Sequence, residues 1–212
     1  MVKKKMEKNK PKEEKVKKNS EESMLKNIIL IGGVIILLSL VLYIYTQSQN
    51  SYTYKNIEFE KTLIGNITFY ETTTLAKGAN GKLFGFRLRT NPRELTTIPF
   101  ENLDNLRIMK LNIIASEEGK SFNCEGYGVI AIPNLQRLFT EMGADFGKEE
   151  GSNCDPDGKY NHFTLKYGNK TEIKEVGNRC YEIIIKGDDN KCEILPVTEK
   201  LMVELYSRYL NL

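Results

Sequence analysis

The chain has 212 residues, of which 40% are hydrophobic and 28% charged, the composition of an ordinary globular protein. Its net charge of +3 averages two unlike regions: residues 1–26 hold ten lysines and five glutamates, and the remaining 21 basic and 23 acidic residues give −2. A domain that binds duplex nucleic acid concentrates Lys and Arg against the phosphates. The main part of the chain has no such excess, so we expect no nucleic-acid partner.

An apolar stretch follows the lysine-rich segment. Residues 28–45 hold no charge, and as a helix they extend about 27 Å, close to the thickness of a hydrocarbon core. This length predicts a transmembrane helix over residues 27–45, which contacts the lipid bilayer through residues 28–45, rather than a buried core helix. A cleaved signal peptide is the competing interpretation, but this core is longer than usual and residues 45–50 offer no small-x-small cleavage site.

The distribution of lysines predicts the orientation of this helix. Ten lysines precede it, whereas only Lys55 and Lys61 lie in the next twenty residues, so the positive-inside rule places the N-terminus in the cytoplasm. Residues 1–26 have no apolar period and are predicted to be a disordered cytoplasmic tail. Residues 46–52 indicate a polar spacer, and residues 53–212 one domain outside the cell membrane.

The outer domain begins with strand patterns. Residues 54–60 alternate in polarity, and residues 68–76 are rich in Thr, Tyr and Phe. Asn80-Gly81 suits a type I′ turn, which predicts a hairpin that pairs residues 68–77 with residues 82–90. The returning strand separates two faces, one with Phe84, Phe86 and Leu88 and the other with Arg87 and Arg89.

The middle of the domain combines strand and helix signals. Pro92 indicates a turn over residues 91–94. We expect a strand over residues 107–115, with Met109, Leu111 and Ile113 facing inward. A β-rich run at residues 129–132 precedes a helix over residues 133–142, which Gly143 ends.

The last part of the domain completes the fold prediction. We expect a second hairpin around Gly168-Asn169, pairing residues 163–167 with 171–176. A strand over residues 180–186 and a helix over residues 196–210 follow. Strands segregated from helices predict an α+β fold, in which an antiparallel sheet packs with two helices.

Four cysteines lie in the outer domain, an even count on the oxidising side of a membrane, which predicts two disulfides. Cys124 shortly precedes the first predicted helix and Cys192 the second, so these two meet if both helices pack on one face of the sheet from the same end. Cys154 then pairs with Cys180. The competing arrangement joins Cys180 to Cys192 across a tight hairpin. Zinc ligation is disfavoured, because gaps of 29, 25 and 11 residues contain no Cys-x-x-Cys knuckle.

Other candidates for chemistry are weak, and we assign no catalytic, cofactor-binding or metal-binding residue. His162 begins a strand and no nucleophile motif accompanies it, which indicates a surface or edge-strand histidine. The sequence around Asp155 and Asp157 and the Asp188-Asp189-Asn190 turn lack the spacing of a calcium loop, and Gly126-Tyr127-Gly128 lacks most of a phosphate loop. Sequons make Asn66 and Asn169 candidate glycosylation sites; Asn169, in a turn, is the better acceptor.

Four segments carry a resemblance to a known group of proteins. They are Phe86-Arg87-Leu88-Arg89-Thr90-Asn91-Pro92-Arg93-Glu94-Leu95, Ile130-Ala131 before a short helix, Asn178-Arg179-Cys180-Tyr181, and Lys191-Cys192-Glu193-Ile194-Leu195-Pro196-Val197-Thr198-Glu199-Lys200. With the N-terminal anchor, they resemble uncharacterised single-pass membrane-anchored proteins of archaea, over most of residues 52–212. The resemblance implies a disulfide-bonded extracytoplasmic α+β domain with paired cysteines, and it implies no activity.

Together these observations favour a membrane-anchored extracytoplasmic domain that binds another envelope or surface protein. Two alternatives stay open: a structural subunit of a membrane or cell-envelope complex, and an extracytoplasmic enzyme whose site the sequence does not reveal. A deep pocket with convergent polar groups would favour the enzyme, and an exposed apolar patch would favour binding.

Overall fold

The computed structural model describes residues 12–101, 103, 106–151 and 153–211. The chain divides into two compact units, one that ends at Gln49 and one that begins at Asn50. Helix α1, Lys12–Asn50, accounts for the described part of the first unit. Within it Lys26–Tyr45 is long and apolar enough to cross a membrane, and its large hydrophobic side chains are exposed.

Helix α1 is longer than the sequence suggested. It includes residues 12–26, which we expected to be disordered, and residues 46–50, which we assigned to a spacer. Lys and Glu are strong helix formers, and adding turns to an existing helix avoids the cost of nucleation. Strand β1, Ser51–Tyr54, follows directly. Residues 1–11 of the expected tail lie outside the described residues.

The first half of the second unit forms an antiparallel sheet. β1, β2 (Ile57–Ile64), β3 (Ile67–Thr72) and, after a small ribbon, β6 (Arg87–Leu88) form a four-stranded sheet in the order β1-β2-β3-β6. The ribbon pairs β4 (Ala76–Lys77) with β5 (Leu83–Phe84). These pairings confirm the predicted hairpin around Asn80-Gly81. The type I′ turn is wrong: only Gly81 has a positive φ, 78°, and the Asn80 side chain accepts the N–H of Lys82 at 2.8 Å instead.

The second half forms a six-stranded mixed sheet in the order β7-β11-β12-β10-β8-β9. Strands β9, β8, β10 and β12 run parallel to one another, β11 is antiparallel to β12, and β7 is parallel to β11. The α+β class is confirmed, and the antiparallel expectation holds for the smaller sheet and for β11–β12. The strands are β7 Phe100–Glu101, β8 Leu111–Ser116, β9 Asp145–Glu150, β10 Asn161–Gly168, β11 Glu172–Gly177 and β12 Cys180–Lys186.

The second predicted hairpin is wrong, because β12 lies between β10 and β11. Strand β12 carries Ile183 and Ile185, both fully buried, so it takes an interior position that a less apolar strand would not. The inward face predicted for β8 is also incorrect. Leu111 is exposed, whereas Ile113 and Ile114 are both buried, since a central parallel strand is covered on both faces.

The described residues of the unit also form three α-helices, α2 Pro92–Leu95, α3 Gly128–Glu141 and α4 Ile194–Leu210, and a short 3-10 helix at Cys124–Gly126. Helix α2 occupies the predicted turn, with the Asn91 side chain accepting the N–H of Arg93. Helix α3 begins before Pro133, so the β-rich run at residues 129–132 is helical rather than a strand. A Cβ at Gly128 would overlap the carbonyl oxygen of Phe122, which explains glycine at the helix start. Gly143, with φ of 80°, ends α3 as predicted.

Helix α4 lies in the core and is buried over nearly all of residues 194–206. Leu201, Leu205 and Tyr206 are fully buried among residues of both sheets. Thr198, Glu199, Lys200 and Glu204 are buried as well. Buried polar groups need hydrogen-bond partners. Their partners lie mainly on the smaller sheet, so these side chains hold that sheet against α4.

Candidate functional site

The structure brings together the cysteine pairs that the helix argument favoured. The Cα atoms are 5.1 Å apart for Cys124 and Cys192 and 5.8 Å apart for Cys154 and Cys180, within the range of a disulfide. The first pair links the segments that precede α3 and α4, and the second links the loop before β10 to the start of β12. No cysteine is free, and within the described residues no group of three or more His, Cys, Asp or Glu could hold a metal.

The Asp188-Asp189-Asn190 turn, weighed above for calcium, holds a loop in place instead. The Asp189 carboxylate accepts the Tyr167 hydroxyl at 2.7 Å and the Ser121 hydroxyl at 3.4 Å. The Tyr167 hydroxyl, with the backbone N–H groups of Phe122 and Ser121, holds the pKa of Asp189 below its ordinary value. The Phe122 and Tyr167 rings stack with centroids 4.4 Å apart. This carboxylate therefore fastens the loop before α3 beside the Cys124 disulfide.

The Asp155 turn also has a local structural role. Its carboxylate accepts the N–H groups of Asp157 at 3.0 Å and of Lys159 at 3.1 Å. The N–H of Lys159, followed by that of Asp157, lowers the pKa of Asp155. These are turn hydrogen bonds, so the residues singled out for calcium serve the loop that carries Cys154.

His162 is not the surface or edge-strand residue that we expected. It lies on β10, between β8 and β12, and only 1% of it is exposed. Its Nδ1 is 3.3 Å from the Thr164 hydroxyl oxygen. Burial lowers the pKa of His162, against the opposite effect of Glu149. His162 is buried because β10 pairs in parallel with β8 and β12. No local pattern around the histidine predicts this pairing.

Both sequon asparagines are on the surface. Asn66 lies in the turn of the β2–β3 hairpin, and Asn169 lies in the connection between β10 and β11. The exposure of Asn66 and Asn169 is compatible with glycan attachment at either asparagine.

Gly126-Tyr127-Gly128, weighed above as a phosphate loop, forms the entry to α3, with a φ of 87° at Gly126.

A cleft of about 440 Å³ opens between the smaller sheet and helix α3. Its lining combines polar and apolar side chains, and the polar groups include three arginines, Arg87 and Arg89 at strand β6 and Arg137 on α3. Those arginines stand with Glu71, Glu141 and Asn134. The apolar lining consists of Phe69, Leu75, Phe84, Phe86, Ile130, Leu138 and Met202.

The arginines of the cleft are only partly neutralised. Arg87 pairs with Glu71 at 3.0 Å, and both side chains are about half exposed, so this ion pair is weak. The Arg89 guanidinium lies 5.6 Å from the centroid of the Phe69 ring, a cation–π arrangement. Arg137 is exposed and has no ion-pair partner among the described residues. A carboxylate or phosphate group entering the cleft would meet guanidinium groups with unused donors.

A buried carboxylate fixes the strand that presents these arginines. Glu199 on α4 is 1% exposed, and its oxygens accept the N–H of Arg89 at 2.7 Å and of Thr90 at 2.9 Å. Burial raises the pKa of Glu199 to about 7, although the two hydrogen bonds act in the opposite direction. The chain at the end of β6 is therefore tied to the core helix directly behind the cleft.

A second constraint lies just before the arginines. The N–H of Phe86 donates to the Thr72 hydroxyl at 2.9 Å, and a Cβ at Gly85 would overlap that hydroxyl. Thr72 contributes the single hydroxyl among the residues that line the cleft, and it is occupied by this bond.

Two shallower hollows adjoin the cleft, with volumes of about 550 and 430 Å³. Both include Arg89, Thr90, Glu193 and Pro196, so Arg89 is common to all three spaces.

The sequence placed Arg87 and Arg89 together on one strand face. It did not single out Arg137 or Glu199, which come from distant segments and belong to no local motif. The one signal that the sequence offered is the four-residue spacing of Arg137 and Glu141, which puts both on one face of a helix.

Comparison with known proteins adds no further guide to function: no family model, no curated protein and no solved structure matches the chain.

Proposed function

We propose that the chain is a membrane-anchored receptor-like domain that stands outside the cell membrane and binds an acidic segment of another envelope or surface protein. The observation that carries the proposal is the cleft, which Arg87, Arg89 and Arg137 line together with apolar side chains. Arginine binds carboxylates in bidentate geometry, and an apolar wall accommodates the side chains beside them. An acidic segment that also holds aliphatic or aromatic residues has the matching chemistry.

The location outside the membrane has two supports. Lys26–Tyr45 has the length and composition of a membrane span, and the lysine excess lies before it. The two cysteine pairs favour an oxidising compartment, where disulfides persist. In this orientation the N-terminal tail is cytoplasmic, and the second unit is displayed on the outer side. The resemblance to anchored archaeal proteins agrees with the same arrangement.

The test is site-specific photo-crosslinking in native membranes, with the crosslinking residue at Asn134 in the cleft. A probe at Lys120, an exposed residue outside the cleft, serves as the control position. We expect an adduct from Asn134 alone that disappears when Arg137→Glu is added. The matched change Arg107→Glu, at an exposed arginine outside the lining, should leave the adduct intact. Equal adducts from both probes, or an adduct that survives Arg137→Glu, would refute the proposal.

A further inference from the structure

The turn between β2 and β3 exposes a group of aliphatic side chains. We name residues 63–67 the hairpin tip. Leu63 is 71% exposed, Ile64 49% and Ile67 46%, and residues 62–70 contain no charged side chain. Single exposed aliphatic residues are common on soluble proteins, but three together at a projecting turn indicate a surface that contacts a membrane or another protein.

The turn at the end of the tip is tight. Ile64 pairs with Ile67, so the turn consists of Gly65 and Asn66 alone. Gly65 has a φ of 62° and Asn66 does not have a positive φ, the pattern of a tight type II′ turn. A two-residue turn keeps the tip narrow. Because the pairing of β2 with β1 ends at Glu60, the outer backbone groups of residues 61–64 need the water and headgroups of an interfacial layer rather than hydrocarbon.

The strand register places the tip at the end of the sheet where the chain enters. Ser51, the first residue of β1, pairs with Glu60 on β2. Strand β2 continues past that pair, so Leu63 lies about 10 Å beyond Ser51 at roughly 3.3 Å per residue. The tip thus projects beyond the first residue of the domain rather than from its far end.

The connection to the membrane span is short. Ser51 follows Tyr45, the last residue of the span, by six residues. Six residues rise about 9 Å as a helix and reach about 21 Å when fully extended. The interfacial layer outside the hydrocarbon core is itself several Å thick. A projection about 10 Å long at the entry end of the sheet therefore lies within reach of the lipid headgroups.

We infer that the hairpin tip inserts Leu63, Ile64 and Ile67 into the interfacial layer of the bilayer that holds the anchor. This inference rests on the proposed anchoring of Lys26–Tyr45. The tip is a second attachment, which limits the directions in which the arginine cleft is presented. Lys61, at the base of the tip, lies where it meets headgroup phosphates. Asn66 is then covered by lipid and carries no glycan, in spite of its sequon.

The absence of tryptophan from the chain allows a direct test. The full-length protein with Leu63→Trp is reconstituted into phosphatidylcholine vesicles that contain lipids brominated along the acyl chain. Leu83→Trp is the matched control, because Leu83 is 67% exposed, nearly as much as Leu63. It lies on β5, which pairs with β4 beyond Thr72, the end of β3 opposite to the tip. Flotation of the vesicles measures anchoring separately from fluorescence quenching.

We expect both variants to float with the vesicles, the Leu63→Trp emission to shift to the blue and be quenched at least twofold by brominated lipid, and the Leu83→Trp emission to be unaffected. A protein that floats with unquenched Leu63→Trp emission overturns the tip insertion and leaves the anchor intact. A blue shift without quenching also overturns it, because protein rather than lipid then covers the tip. A protein that does not float overturns the anchor and this inference with it.

Discussion

The two sheets of the second unit are fastened by different chemistry. The six-stranded sheet and the loops around it hold both cysteine pairs. The smaller sheet has no disulfide and is tied to helix α4 by buried polar side chains, mainly Glu199, Glu204 and Tyr206. The stability that a disulfide contributes does not depend on pH, whereas the stability that a buried carboxylate contributes does. The sheet that carries the arginines and the hairpin tip should therefore respond to pH and polar substitution, and the larger sheet to reductant.

The largest effect is expected from the disulfide between Cys124 and Cys192, which are 68 residues apart. Replacing both with serine should lower the free energy of unfolding by about 4 kcal/mol, because the unfolded chain regains loop entropy. The Cys154–Cys180 pair closes a shorter loop, with a separation of 26, and should cost less. Urea unfolding followed by circular dichroism measures both. A larger loss from the Cys154–Cys180 variant would contradict the loop-entropy argument.

Glu199 should give the smaller sheet a dependence on pH. Its pKa is raised from 4.5 to about 7 by burial, so the folded protein retains a proton that the unfolded chain releases. The stability from this group is complete below pH 4.5 and is lost as the pH rises through 7, a fall of up to about 3 kcal/mol.

Comparison with Glu199→Gln isolates this contribution. The substitution loses part of the interaction with the N–H groups of Arg89 and Thr90 at every pH, but it removes the slope between pH 4.5 and 7. His162, whose pKa burial lowers, acts in the opposite direction below pH 6.5, so the difference between the two proteins is the measured quantity. Parallel stability curves would show that Glu199 does not titrate in this range.

Tyr206 connects α4 to the smaller sheet through one buried hydroxyl. That oxygen accepts the N–H of Ala76 at 2.8 Å and lies within hydrogen-bond distance of the carbonyl oxygens of Thr74 and Phe84. Tyr206→Phe leaves these backbone groups unpaired and should cost about 1–3 kcal/mol in the free energy of unfolding. Tyr209→Phe is the control, because its bond to the Lys77 carbonyl is exposed and its loss should cost less. Equal costs would mean that burial of the hydroxyl is unimportant.

The smallest effect on stability is expected from the exposed pair of Glu71 and Arg87. Glu71→Gln should change the free energy of unfolding by less than about 1 kcal/mol. It also frees Arg87, so the crosslinked adduct formed from Asn134 should increase. An unchanged or weaker adduct would show that Arg87 does not contribute to binding.

The sequence predicted the features that are local. A run of apolar residues defines the candidate membrane span, Asn80-Gly81 defines the first hairpin, and Gly143 marks the end of α3. Pro133, expected at the start of that helix, lies inside it instead. The pairing of Cys124 with Cys192 followed from helices that pack together. Parallel pairing of distant strands has no local signal, which explains the wrong second hairpin and the unexpected burial of His162.

The cleft could be predicted only in part, for the same reason. Alternation on one strand brings Arg87 and Arg89 to one face, and this is visible in the sequence. Arg137 and Glu199 reach the same place only because α3 and α4 pack on the smaller sheet. Glu199 in the sequence looks like any surface glutamate of a helix, and only the position of α4 in the core makes it a buried anchor.

We expect the second unit to lie outside the cell membrane and the lysine-rich tail to lie inside. The most direct measurement is labelling of intact cells with a membrane-impermeant amine reagent, followed by mass spectrometry of the purified protein. We expect label on exposed lysines of the outer unit such as Lys82 and Lys159, and none on lysines within residues 3–26 until the cells are permeabilised. Label on the tail lysines of intact cells, with the domain lysines protected, would contradict the account.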